Sequence, residues 1–228
     1  MTTAPQAQAI TDTIHRLRQQ IPPDITLIAV TKLLPVEVIR IAYDAGIRHI
    51  GESRIQEAIA KQAQLTDLPD ITWHLIGHLQ SNKVRKAVEH FQWIHSIDSL
   101  KLARKLDQAA AEQQKQPQCC LQVKMVPDPP KYGFDASDLP ALLPELNQLT
   151  HLQVRGIMAI PPQAADADTI TQVFASARAL AETINQGSWS HLTLDQLSLG
   201  MSGDYQQAIA AGSTMVRLGT VLFGPRPQ

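Results

Sequence analysis

Short runs of β-branched and other apolar residues recur along the chain, each followed by a longer stretch whose apolar positions return at helical spacing. The runs are ITLIAVTK (25–32), IRHIGES (47–53), ITWHLIG (71–77), QWIHSI (92–97), QCCLQVKM (118–125), LQVRGIMAI (152–160), LDQLSLG (194–200) and TMVRLG (214–219). Helices are expected after Pro35 and over 54–64, 82–90, 98–115, 138–147, 168–186 and 203–211. Pro35 suits a first helical turn, where a missing N–H costs nothing, and Gly46 suits the stop. Strand and helix in alternation mean repeated βα units around a parallel sheet, and eight strands in 228 residues predict an α/β fold, a single (β/α)8 TIM barrel. The last strand is followed only by the short, proline-rich VLFGPRPQ, whereas QAQAITDTIHRLRQQ precedes the first. Residues 1–22 are therefore expected to supply an extra N-terminal helix that covers the wall left bare by the missing last helix, with 1–228 as one domain.

Composition narrows the class. With 44% hydrophobic and 18% charged residues the chain can bury a packed core, which argues against disorder. A net charge of -1 offers no basic stripe for a run of phosphates, so nucleic acid is not an expected partner. The first residues lack the basic and apolar regions of a secretory signal, and no apolar run is long enough to span a bilayer. A cytoplasmic protein with no membrane partner is expected. The cysteines, Cys119 and Cys120, are chain neighbours whose side chains should point to opposite faces of a strand, as reduced and packed thiols.

Chemistry in such a barrel belongs at the carboxyl ends of the strands. Lys32 ends the apolar AVTK there, where partial desolvation would favour the neutral, nucleophilic amine; a lysine simply leaving its strand for solvent has the same sequence. In SLGMSGDYQQAI (198–209), backbone N–H groups at Ser202 and Gly203 precede a helix and outline an anion site, and Gly219 and Thr220 follow the last strand beside it. Loops after the seventh and eighth strands commonly cradle phosphate in this fold. Arg217 shares a strand face with Gly219, and if that face looks inward it needs a partner: a cofactor ring nitrogen, or an acid such as Asp195. His74 and His78 have a spacing that would suit a metal on a helix, but Gly77, the strand context and the lack of a third ligand speak against one. The cluster His78, Gln80, Asn82 and Lys83 is expected at a pocket rim or facing water.

AVTKLLP (29–35), GESRIQE (51–57), WHLIGHLQSNK (73–83), KYGF (131–134), GIMAI (156–160), LSLGMSGDYQQAI (197–209) and GSTMVRLGTVLFGPR (212–226) together resemble the pyridoxal phosphate homeostasis proteins, YggS-like relatives of the N-terminal barrel of alanine racemase. The resemblance implies a fold-type III barrel that binds pyridoxal 5'-phosphate (PLP) as a Schiff base on Lys32. Ser202, Gly219 and Thr220 would hold the phosphate, with the loop N–H of Gly203 beside them, Arg217 would face the pyridine nitrogen, and His74, Ile76 and Met158 would lie around the barrel mouth. Ser53 stands where the family usually has asparagine, so any ring contact by that residue is lost or altered. An arginine at the ring nitrogen disfavours its protonation and weakens the electron sink that carbanion chemistry needs. The chain also shows no match to the racemase's second domain or catalytic tyrosine. The expectation is a monomeric carrier or buffer of the cofactor, supporting vitamin B6 and amino-acid homeostasis, with apo-enzymes as acceptors and little or no catalysis. A PLP-dependent racemase or lyase, a cofactor-free imine-forming aldolase and a vitamin-status sensor are the rival readings.

Overall fold

A computed structural model of the chain describes residues 3–128 and 130–225; what was expected of residues 1–2, Pro129 and 226–228 lies outside these. A strand forms at each expected run, the one at 194–200 beginning two residues early, and one short strand is added: β1 (Thr26–Val30), β2 (His49–Glu52), β3 (Thr72–Leu75), β4 (Trp93–Ile97) and β5 (Gln118–Lys124), then the unexpected two-residue β6 (Phe134–Asp135), β7 (Gln153–Met158), β8 (Leu192–Ser198) and β9 (Met215–Leu218). Their order is β4-β3-β2-β1-β9-β8-β7-β5, every pairing is parallel, and β4 also pairs with β5, so eight strands close into a barrel. β6 arises where the KYGF segment folds back beside the end of β5; a two-residue strand is too short to carry an alternation signal.

The helices are α1 (Ala4–Gln20), α2 (Val36–Asp44), α3 (Ile55–Gln62), α4 (Val84–His90), α5 (Leu100–Gln113), α6 (Leu139–Leu146), α7 (Ala167–Asn185), α8 (Tyr205–Ala210) and α9 (Thr220–Phe223). Their starts follow local chemistry: Ser99 accepts from the Leu102 N–H and Asp166 from the Thr169 N–H. Gly46 ends the α2 turn at φ 92°, a left-handed conformation that suits glycine. α1 buries Ile10, Ile14 and Leu17, one stripe of its surface, and lies against α2 and the four-residue α9 that follows the last strand. Arg18 ties it further, donating to the Gly46 carbonyl at 2.6 Å.

Most buried apolar residues fill the layer between sheet and helices. Ile28, Trp93, Cys120, Met158 and Met215 form a separate cluster with alternate strand positions, the packed interior of the barrel itself. Cys119 belongs to the outer layer and Cys120 to the inner, as strand alternation requires. Close strand approach constrains Gly156, where a Cβ would lie 1.9 Å from the Gln196 carbonyl oxygen, beside the register shifts between β7 and both its neighbours. Gly156→Ala is expected to cost about 2–4 kcal/mol, read as a lower urea midpoint with an unchanged slope.

Candidate functional site

β1 and β9 are hydrogen-bonded neighbours, with Ile28 opposite Arg217 and Ala29 opposite Leu218, so Lys32 and the Gly219–Thr220 turn leave the barrel side by side at its carboxyl edge. Lys32 is half-buried and two positions beyond Val30, which shares the inner face with Ile28; the methyl groups of both crowd Gly51 inside the barrel. At the same edge the Ser202 Oγ accepts from the Gly219 and Val221 N–H groups, each at 3.2 Å. One hydroxyl oxygen thus stands where two backbone donors converge, the kind of place an anionic oxygen would take. Beside it, a Cβ on Gly203 would meet nothing within 4 Å, which leaves room at the loop.

The backbone around Lys32 is fixed from behind, by residues that the sequence reading did not pick out. Lys61 of α3, 6% exposed, donates to the Thr31 carbonyl at 2.8 Å, to Glu52 Oε1 at 2.7 Å and to Glu57 Oε1 at 2.7 Å. The Thr31 hydroxyl donates to the same Glu52 oxygen at 2.6 Å, and the Leu33 N–H donates to Glu57 at 2.5 Å. The residue before Lys32 and the residue after it are therefore both held by one buried ionic cluster. Leu33 has φ 63°, a costly left-handed conformation for a leucine, and these bonds hold it in place next to Lys32 in the chain. Burial raises the Glu52 carboxyl above its usual range despite its bonds to Lys61 and Thr31, and its Oε2 has no hydrogen-bond partner among the described residues.

Arg217 points inward and is buried, which lowers its pKa to about 10 and still leaves it charged at neutral pH. Its NH1 donates to the Ser198 carbonyl and, at 2.6 Å, to the Ser198 hydroxyl, and its NH2 donates to the Ala159 carbonyl at 3.3 Å. No acid pairs with it in these bonds. Asp195, the acid weighed as its partner, instead pairs with Arg155 at the outer surface. Residue 195 falls on the opposite strand face from Ser198, so alternation keeps it out of the barrel.

His74 is wholly buried, hydrogen-bonded on one side to His49 at 3.0 Å and on the other to His95 at 2.9 Å. Met158, the last residue of β7 and paired with Ser198, is likewise buried in the interior cluster, while Ile76, half-buried and two positions beyond His74, reaches over Gly51. Ser53 lies to the side, in a recess of about 270 Å³ shared with His78, Gln80 and Lys83. His78 pairs with Asp98 at 3.1 Å and stacks on Tyr132 with ring centroids 3.6 Å apart, so it belongs to the rim and is separated from His74. Lys131 of the same KYGF segment bridges Asp128 and the Pro161 carbonyl, joining two rim loops.

The buried histidines make acid stability a testable consequence. Burial holds His49 and His74 below the ordinary imidazole value and His95 at about 3. The unfolded chain, with values near ~6.5, binds protons that the folded chain refuses, so stability is complete above ~6.5 and declines as pH falls toward the folded values. His95, with its folded value at about 3, contributes a slope of up to about 1.4 kcal/mol per pH unit in that window, and His74 and His49 act in the same direction. Urea midpoints followed downward from about pH 7 should fall steeply, and a flat profile would show that the three rings are not held neutral.

A lysine just past the end of β1, two backbone donors converging after β9 and a buried arginine within β9 thus gather at one closed parallel barrel. The family described as alanine racemase, N-terminal domain, matches residues 6–227. A pyridoxal phosphate homeostasis protein of Synechocystis is 50% identical over 206 residues, covering 90% of this chain and 94% of its own, and that of Pseudomonas aeruginosa is 44% identical over 205 residues, covering 90% and 86%. Among solved structures, PipY of Synechococcus elongatus without PLP superposes with a TM-score of 0.91 at 54% identity, covering 94% of this chain and all of that one. PipY with PLP bound gives 0.90 at 53%, with 94% and 100% covered. Alanine racemase of Clostridium difficile shares the fold, with a TM-score of 0.79 at 14% identity; this chain covers 57% of it and is itself 97% covered. The chain belongs to the alanine racemase N-terminal domain family and, within it, to the pyridoxal phosphate homeostasis proteins.

Proposed function

We propose that this chain binds pyridoxal 5'-phosphate at the carboxyl edge of its barrel and carries or buffers it within the cytoplasm, with little or no catalysis of its own. The observation that carries the reading is Lys32, just past the end of β1, next to the strand whose following turn has two backbone N–H groups converging on Ser202 Oγ. The residues fit the group. Lys32 would hold its aldehyde carbon covalently; Ser202, Gly203, Gly219 and Thr220 would hold its phosphate; Arg217 would donate to its ring nitrogen. Ile76 lies above the buried Met158 and His74, which support the floor under the ring, and Ser53 is left at the side.

Bound PLP supplies an electrophilic carbon and a ring able to withdraw electrons. This chain's own residues limit the second property. Arg217 is charged, offers only donors and cannot give the ring nitrogen a proton without a large cost. The Lys61 cluster fixes the peptide units flanking Lys32, so the amine is presented from a rigid edge. Held this way, a cofactor is stored and released rather than used. The protein acts as a one-domain monomer, with apo-enzymes that need PLP as acceptors.

Cofactor transfer tests this directly. Protein loaded with PLP and freed of excess should restore activity to an apo-aminotransferase, while exchange of deuterium into the α-position of L-alanine stays at the uncatalysed rate. Rapid α-exchange would make it a racemase or lyase instead, and no restored activity would remove the carrier role.

A further inference from the structure

The interior of the barrel holds more polar groups than the cofactor reading uses. His49, His74, His95, Ser198 and Arg217 form one unbroken hydrogen-bonded line, with separations of 3.0 Å, 2.9 Å, 2.8 Å and 2.6 Å. His49 opens β2, His74 and His95 lie inside β3 and β4, and Ser198 closes β8, so the line climbs from the amino end of the barrel to the carboxyl end. Its lower end lies in a recess of about 430 Å³ shared with Arg18 and Arg48. Its upper end is the arginine proposed for the ring nitrogen.

The direction of every bond in this line follows from chemistry alone. A guanidinium only donates, so Ser198 Oγ accepts from Arg217. The serine's single hydroxyl hydrogen then goes to His95 Nδ1 at 2.8 Å, because the alternative leaves a buried donor unsatisfied. A neutral imidazole that accepts at Nδ1 must carry its proton on Nε2. His95 therefore donates through Nε2 to His74 Nδ1, and His74 through Nε2 to His49 Nδ1. The neutral state is consistent with the burial that depresses His74 and His95.

We propose that His49, His74, His95 and Ser198 are positioning residues for Arg217, a line of single polarity through which the state of His49 at the amino-end mouth is read at the ring-nitrogen end of the cofactor pocket. Charging His49 turns its Nδ1 from acceptor to donor. His74 and His95 must then exchange tautomers, and Ser198 Oγ receives donors from both sides. Its contact with Arg217 changes although nothing near the cofactor has been altered. The charged and titratable groups around His49 are Arg18 from α1, Arg48 ahead of β2, itself paired with Asp70, and His74 from β3. The link to the cofactor rests on the PLP reading, but the line exists in the protein without it, so the test is made on cofactor-free protein.

Histidine and arginine ¹⁵N resonances of the apo-protein read both tautomers and guanidinium. At neutral pH, His49, His74 and His95 should all carry the proton on Nε2 and none on Nδ1. On acidification the Arg217 resonances should shift with the His49 midpoint, and His49→Gln should abolish that shift. Ser198→Ala, which keeps the backbone carbonyl contact but removes the hydroxyl, should leave the histidines in mixed tautomers at neutral pH. If His49→Gln does not fold, the Ser198→Ala result decides. An Nδ1–H tautomer in any of the three wild-type rings, an Arg217 signal that ignores His49, or unchanged tautomers in Ser198→Ala would each overturn the inference. If the line behaves as stated and PLP does not bind, the cofactor reading fails and the line stands.

Discussion

Lys32→Ala is expected to abolish retention of PLP through gel filtration and the visible absorbance band of the loaded protein, with affinity falling by roughly 100-fold or more. The size of the effect follows from the difference between a covalent and a non-covalent hold. Phosphate contacts at Ser202 and Thr220 survive the substitution, but they are neutral backbone and hydroxyl donors on exposed turns, each worth about 1 kcal/mol net. Ser202→Ala removes one such group and should cost about fivefold in affinity while leaving the band in place. The order of the two effects matters more than their size: a Ser202→Ala protein that loses the band entirely, beside a Lys32→Ala protein that keeps it, would move the covalent link elsewhere.

The second large effect is structural. Lys61→Met removes the only cation hydrogen-bonded to Glu52 among the described residues and leaves a fully buried carboxylate with the Thr31 hydroxyl as its remaining partner. Breaking a buried pair from one side costs about 3–5 kcal/mol, or a melting temperature about 10 °C lower for a chain of this size. Glu52 is already raised by burial with Lys61 present; without it the folded value rises further. A carboxyl whose folded pKa is raised binds a proton more tightly folded than unfolded, so its destabilising effect is absent below the unfolded value and grows as pH rises through the folded one. The gap between Lys61→Met and wild type should therefore be wider at about pH 8 than at about pH 5. Denaturant midpoints at the two pH values check this, and a gap that widens in acid would contradict the assignment. Glu57→Gln should cost less, since Glu57 is 20% exposed in its side chain and water can replace part of what it loses.

The barrel was legible because its signals are local. Eight apolar runs separated by glycine and proline punctuation need only period and length to be recognised, and they formed strands with ends shifted by a few residues. The placement of Lys32, Gly219 and Thr220 at the carboxyl edge was legible because strand order alone sends a parallel strand's last residues there. Depth was harder to read. His74 and Met158 were expected around the mouth and are almost wholly buried, since sequence gives the face of a residue but not its burial. The histidine line was missed for a similar reason: RHI, WHL and IHS stand on successive strands, but which rings meet depends on register, with His74 level with Gly51 and Trp93. Attention to the four-residue spacing of His74 and His78 looked along the chain, where the contacts run across it. The Lys61 cluster joins α3 to the ends of β1 and β2, and only the packing of that helix shows it.

Borohydride reduction of the PLP-loaded protein, followed by mass mapping of its peptides, tests most directly whether Lys32 is the residue that holds the cofactor. The expected product is a single modified residue, Lys32, when PLP is used, with little modification when pyridoxal lacking the phosphate replaces it. Label concentrated on another lysine such as Lys83, Lys124 or Lys131, or equal labelling of Lys32 by the two aldehydes, would contradict a site in which one lysine and one phosphate cradle act together.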